Sequence, residues 1–147
     1  MSLLAARPVQ GAAGTRWQRL RPPLATLGGL ALGAVALHVR DPHVQGSWGV
    51  CPTFALFGVY CPGCGGLRAV NDLTHADLAG AASSNLLLVV LLPVVGWVAA
   101  RTLLAAWHGR AYTPKALGAA SSYAVLTAVM VVFTVLRNLP AGGWLAP

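Results

Sequence analysis

Charge is what this 147-residue sequence has least of. Only 9% of its residues are Asp, Glu, Lys or Arg, against about 25% in an ordinary globular chain. That is too little to cover a water-facing surface. The same deficit excludes intrinsic disorder, which needs high charge and low hydrophobicity, whereas 56% of this chain is hydrophobic. Acidic side chains are scarcer still, with three (Asp41, Asp72 and Asp77) against ten Lys and Arg. Paired carboxylates, a Ser-His-Asp order, a glycine-rich phosphate loop and a His-Glu-x-x-His helix are all missing, which removes the hydrolase, nucleotide and zincin readings.

What is present is long apolar sequence. Segments 22–39, 78–100 and 116–136 contain no charged residue over 18, 23 and 21 positions. Each can cross about 30 Å of hydrocarbon at about 1.5 Å per helical residue. Helices are the expected spanning form, since lipid cannot satisfy exposed backbone groups and the alternation of a membrane barrel is absent. The expectation is an all-α membrane protein with three transmembrane helices at about 22–39, 86–107 and 116–136. A basic cytoplasmic tail, 1–21, precedes a single membrane domain, 22–147. The middle span is set to begin at Leu86 because Ser83, Ser84 and Asn85 favour helix N-caps over interiors, and Pro93 predicts a kink within it.

Orientation follows from the basic residues. Arg7, Arg16, Arg19, Arg21, Arg101, Arg110 and Lys115 fall on one side and Arg40, Arg68 and Arg137 on the other. The richer side is expected to be cytoplasmic, with the carboxyl terminus and the 40–85 loop outside. Trp17, Trp97, Trp107 and Tyr112 would then mark the inner interface, and Trp48 and Trp144 the outer one. A rival reading makes the first span a cleavable signal, with an apolar core between Leu24 and Leu37 and the triplet Ala34-Val35-Ala36, although its basic region is long for one. In the anchor reading, Ala25, Gly29 and Gly33 recur every four residues and offer a small-residue face to another helix. The basic inner surface suits anionic lipid rather than nucleic acid. A second copy or a larger membrane protein is the expected protein partner.

Segment 40–85 holds every cysteine and every acidic residue, and with His38 just before it, three of the four histidines. It is otherwise apolar, which predicts a partly helical or re-entrant extracytoplasmic hairpin between the first and second spans. Its Cys61-Pro62-Gly63-Cys64-Gly65-Gly66 turn admits three chemistries. Two thiolates of a C-x-x-C turn can hold a metal; the same spacing suits a redox pair; and Cys51 with either later cysteine can staple the hairpin. For a metal, His75 lies eleven residues beyond Cys64, about 16 Å along a helix, and is out of reach. The candidate set is therefore Cys51, Cys61, Cys64 and His43, with zinc as the ion, although a second C-x-x-C is missing and no cofactor is otherwise expected. Beyond the turn, Arg68, Asp72 and His75 continue one helix face, with an Arg68–Asp72 ion pair expected on it. Thr74-x-x-Asp77 reads as a capping box opening the next helix.

Cys51-Pro52, the apolar stretch ending Gly58-Val59-Tyr60, the run from Cys61-Pro62 through Cys64-Gly65 to Arg68, and Ser84-Asn85 before a long span together resemble the domain-of-unknown-function 2752 family of small bacterial membrane proteins. The resemblance covers about 49–92 and implies a polytopic protein of the bacterial inner membrane. Its hallmark residues are Cys51, Pro52, Cys61, Pro62, Cys64, Gly65 and Arg68; it implies no activity and no cofactor. One departure is that Asn85 is followed by Leu86, where family members commonly have proline. The first functional reading is a non-enzymatic structural or accessory membrane component. The alternatives are a thiol–disulfide protein using Cys61 and Cys64, with Cys51 as resolving thiol, and a metal site at the same hairpin.

Overall fold

The computed structural model describes residues 14–110 and 119–147. The sequence features at Arg7, Tyr112 and Lys115, and the start of the third span at 116–118, lie outside the described residues. Regular structure within them is helical, with no strand: α1 (Arg16–Val39), α2 (Pro52–Phe57), α3 (Gly66–Thr74), α4 (Leu78–Trp107), α5 (Ala119–Arg137) and a carboxyl-terminal 3-10 turn, Pro140–Leu145.

Helix α1 opens on a capping box, in which the Gln18 amide donates to Thr15 Oγ1 and the Thr15 amide to Gln18 Oε1, satisfying amides that a helix start leaves unpaired. It runs antiparallel to α4. At one end Arg19 Nε donates to the Ala106 carbonyl at 3.3 Å and the Arg16 guanidinium lies 5.1 Å from the centre of the Trp107 ring. At the other end Asn71 Nδ2, on α3, donates to the Leu37 carbonyl at 2.7 Å.

Helix α4 is two helices in one. Asn85 alone leaves helical geometry, at φ −159° and ψ 91°, and the chain stays helical through Pro93. The break falls where Ser83, Ser84 and Asn85 interrupt the apolar pattern. Asn85 then caps the second, longer part, its Oδ1 accepting from the Leu88 amide at 3.0 Å. Asp77 caps the first part as its N-cap residue, accepting from the Gly80 amide at 2.8 Å. The expected capping box is corrected here: Asp77 is the cap itself, and Thr74 instead closes α3 by donating to the Asn71 carbonyl.

Buried material is sparse and gathered at one corner. Ala69 of α3 and Ala81 of α4 are fully buried, with Asn71, Asp72, Ser84 and Asn85 around them, so α3 docks closely against the first turns of α4. The long helices do the opposite. Leu30 and Leu32 on α1, and Val90, Val94, Val95 and Trp97 on α4, are exposed. A water-soluble fold would bury such rows, whereas hydrocarbon solvates them. By length and composition, α1 and α4 are long and apolar enough to cross a membrane, and α5 supplies a shorter apolar stretch, Tyr123–Arg137.

Candidate functional site: a three-cysteine hairpin

Cys51 is the N-cap residue of α2, where Pro52 supplies the preset φ of a first helical position. Six residues later Gly58 ends α2 in the left-handed region, at φ 64°, and the chain doubles back with Tyr60 stacked on Phe54 at 4.5 Å. Two hydrogen bonds of 2.9 Å fix this return to the far end of the chain: the Tyr60 amide donates to Asn138 Oδ1, and Asn138 Nδ2 donates to the Tyr60 carbonyl.

The Cys61–Cys64 turn closes on itself, the Cys64 amide donating to the Cys61 carbonyl at 3.1 Å. Gly65 comes next at φ 77°, and a Cβ there would collide with the Ser84 carbonyl and Pro147. Only glycine permits this approach of the turn to the break in α4. Asn85, 2% exposed, reaches back from that break, its Nδ2 donating to the carbonyls of Pro62 at 3.0 Å and Cys64 at 3.1 Å.

Arg137, the last residue of α5, completes the support. Its Nη1 donates to the carbonyls of Cys61 at 2.9 Å and Cys64 at 3.1 Å, and its Nη2 to that of Leu145 at 3.0 Å. The side chain is 1% exposed, its guanidinium carbon 4.9 Å from the centre of the Phe133 ring, and its Nε has no hydrogen-bond partner. Among the described residues the one ion pair is His43–Asp72, so this buried cation faces no carboxylate.

The result is a cluster of sulfurs. Cys51, Cys61 and Cys64 are free and their sulfurs all lie within 4.8 Å of one another. Cys61 Sγ is 3.5 Å from Cys51 Sγ and 3.2 Å from Cys64 Sγ. The proton of the Cys64 thiol beside it and the Phe54 amide bring the Cys51 thiol down to about 6. Burial, and then its role as donor to the other two sulfurs, pushes the Cys64 thiol up to about 12. One negative charge is thus favoured at the exposed edge of the cluster and a proton is retained at its buried edge.

The other predicted site residues fall elsewhere. His43 stands apart from the sulfurs: its Nε2 is 3.0 Å from Asp72 Oδ1. The expected Arg68–Asp72 pair does not form, because Asp72 spends its second oxygen on the Ser84 hydroxyl at 2.8 Å and Arg68 Nε turns to the Pro42 carbonyl at 3.4 Å. Ser84, Asp72 and His43 are linked with the carboxylate in the middle, so the serine hydroxyl donates to Asp72 and no imidazole is placed to activate it. Arg137 and Asn138 were missed as site residues by sequence reasoning. Their signal was a charged and a polar residue closing an apolar helix, where such groups are costly unless partnered.

Neither curated proteins nor solved structures give a match to this chain. The family model described as "Protein of unknown function (DUF2752)" matches residues 51–99, from the first cysteine into the apolar part of α4. The match spans the cysteine hairpin, α3 and most of α4, a third of the chain, and it is to these elements that the likeness applies.

Proposed function

We propose that this chain is a small, non-enzymatic integral membrane protein whose outer hairpin is tied together by a zinc ion on Cys51, Cys61 and Cys64. The convergence of three sulfurs within 4.8 Å, from two separate turns, carries this reading. Thiolates about 2.3 Å from one tetrahedral zinc stand about 3.8 Å apart; the separations of 3.5 and 3.2 Å need only small side-chain rotations to match. Charge supports the same conclusion. A divalent ion on three thiolates carries one net negative charge, which offsets the buried Arg137 cation that has no carboxylate opposite it. The fourth position is left to water or an exogenous ligand, since His43 serves Asp72.

In this reading α1, α4 from Leu86 onward and α5 each cross the bacterial inner membrane, with the amino terminus cytoplasmic and the hairpin outside. The antiparallel α1–α4 pair supports two crossings, and the larger share of the Lys and Arg residues on the amino-terminal side supports that orientation. Anionic lipid would meet the basic end. A second copy or a larger membrane protein would pack on the exposed helix faces.

The test is metal analysis of protein purified without chelator, combined with maleimide labelling. The expected result is one zinc per chain, lost in Cys51→Ser, Cys61→Ser and Cys64→Ser, with a Cys51 thiol that labels only after chelation. Metal-free protein whose Cys51 labels promptly without chelator would overturn it.

Thiol–disulfide exchange is the second reading, favoured by Cys61 lying within 3.5 Å of both neighbours and by the low Cys51 thiol. The Cys51 thiolate would attack a partner disulfide and release one partner thiolate. Cys61 would then displace the second, leaving a Cys51–Cys61 bridge and a reduced partner. A Cys51–Cys61 disulfide that forms on addition of oxidised glutathione, in protein that binds no zinc, would select this reading over the first.

A further inference from the structure

The hairpin carries an apolar surface that the cysteine cluster does not use. From Pro42 to Leu67 the chain has no Asp, Glu, Lys or Arg. Within that stretch α2 projects from the molecule, every residue of it except Thr53 being exposed. Val50, Phe54, Leu56, Phe57 and Val59 are all exposed, Leu56 and Phe57 at 75% and 74%. Large apolar side chains left open in one group mark a surface that something covers. The turn closes its own backbone hydrogen bonds, the Ala55 amide donating to the Cys51 carbonyl and the Gly58 amide to that of Phe54, both at 2.9 Å. Backbone that enters hydrocarbon has to be satisfied from within in this way.

The level of this surface is set by what the hairpin touches, because three apolar helices end beside it. Helix α1 closes at Arg40, whose carbonyl accepts from Trp48 Nε1 at 2.7 Å and whose guanidinium lies 5.7 Å from the centre of that ring. The apolar part of α4 starts after Asn85, which holds the Pro62 and Cys64 carbonyls. Helix α5 ends at Arg137, which holds the carbonyls of Cys61 and Cys64. Asn138, one residue on, pairs with Tyr60, and Tyr60 is stacked on Phe54 of α2. The short helix is thus fixed where the exposed apolar rows of the long helices stop. A charge-free surface at that level continues the lipid-facing surface of those helices, and apolar side chains at the headgroup boundary are stabilised by entering the acyl chains. A water-soluble partner would find no polar side chain to recognise between Phe54 and Val59.

We propose that α2 and its flanking residues are seated in the leaflet at this end of the spans, with lipid acyl chains covering Val50, Phe54, Leu56, Phe57 and Val59. The cysteine centre is then carried at the boundary between headgroups and acyl chains rather than in bulk water. The inference rests on the reading of α1, α4 and α5 as membrane spans and is independent of zinc.

Photocross-linking of the full-length chain in phosphatidylcholine nanodiscs tests the proposal. Phe57→benzoylphenylalanine exchanges one exposed aromatic for another and leaves the contacts of the hairpin in place. Illumination is expected to give acyl-chain adducts, about tenfold more than from Gln45→benzoylphenylalanine in the polar loop before the hairpin. Leu56→benzoylphenylalanine should repeat the result from a second exposed position, and Val94→benzoylphenylalanine, on α4, reports on the span itself. Adducts at Val94 with none at Phe57 or Leu56 would overturn the seating of α2 and leave the spans standing. Cross-links from Phe57 to a second copy of the chain would overturn it as well, giving the surface to a dimer. Lipid adducts at none of these three positions would remove the membrane reading from which the inference starts.

Discussion

A buried arginine without a carboxylate is expensive unless something nearby carries the opposite charge, and at Arg137 the nearby groups are the sulfurs of the hairpin. Its guanidinium also holds three carbonyls, two of them from the Cys61–Cys64 turn. Arg137→Leu removes both services. The Cys61 and Cys64 carbonyls keep the Cys64 amide and Asn85 as donors, so the Leu145 carbonyl is the acceptor left unpaired, at about 1–3 kcal/mol, and a zinc–thiolate centre would lose its counter-charge. Zinc affinity is expected to fall at least tenfold in Arg137→Leu and to recover in part in Arg137→Lys, which restores charge but not the forked hydrogen bonds. Wild-type affinity in both variants would remove Arg137 from this role. At Cys51 the consequence concerns pH. In metal-stripped protein its thiolate fraction rises as pH passes about 6, well below the value of about 8.5 for an ordinary cysteine. Iodoacetamide should therefore modify Cys51 with a half-maximal rate near pH 6, while Cys64, held protonated toward 12, stays unmodified at neutral pH. A Cys51 midpoint at the ordinary value would contradict the hydrogen bonding described for it.

Elements meet at Asn85, where the two parts of α4 are joined by a residue that leaves the helix and serves both neighbours. It caps the apolar part through Leu88 and ties down the cysteine turn through Pro62 and Cys64. Asn85→Ala loses all three contacts. Losing a cap costs about 1 kcal/mol and the abandoned Pro62 carbonyl adds to it, while the Cys64 carbonyl is left to Arg137 alone, so the hairpin should loosen while the apolar helix persists. The expected observation is faster hydrogen exchange at the Cys64 and Gly66 amides with unchanged helical circular dichroism; exchange equal to wild type would show that the turn holds without Asn85. This junction was legible in the sequence, because Ser83, Ser84 and Asn85 interrupt an apolar run with cap-forming residues. So was the cysteine trio, whose spacing alone suggested shared chemistry. The roles of Arg137 and Asn138 were not legible, since they contact Cys61 and Tyr60 from 76 and 78 residues away, and no local pattern encodes which end of α5 returns to the hairpin. The partner of Asp72 was misread for a related reason. Helical spacing favours Arg68, but the 40–48 loop brings His43 to one carboxylate oxygen and the break in α4 brings Ser84 to the other.

Across the whole molecule the chemistry is polarised along the helices. The three cysteines, the three aspartates, His38, His43 and His75 share one end, while Arg16, Arg19 and Trp107 meet at the other. Between them α1 and α4 present exposed apolar side chains along their length. In the topology proposed above, two effects of the same sign would place the molecule in a bilayer. The apolar middle would gain about 25 cal/mol for each Å² withdrawn from water, and the basic end would be retained on the cytoplasmic side. Ser47, in the loop after α1, and Arg110, just beyond α4, would then lie on opposite faces of the membrane. Ser47→Cys should be labelled by a membrane-impermeant maleimide in intact cells. Arg110→Cys should be labelled only after lysis, with the modified peptide identified by mass so that the native cysteines do not contribute. The reverse pattern would invert the protein and place the cysteine hairpin in the reducing cytoplasm. Labelling of both positions in intact cells would mean that α1 and α4 do not each cross once, and the antiparallel pair would then have to lie on the membrane surface rather than through it.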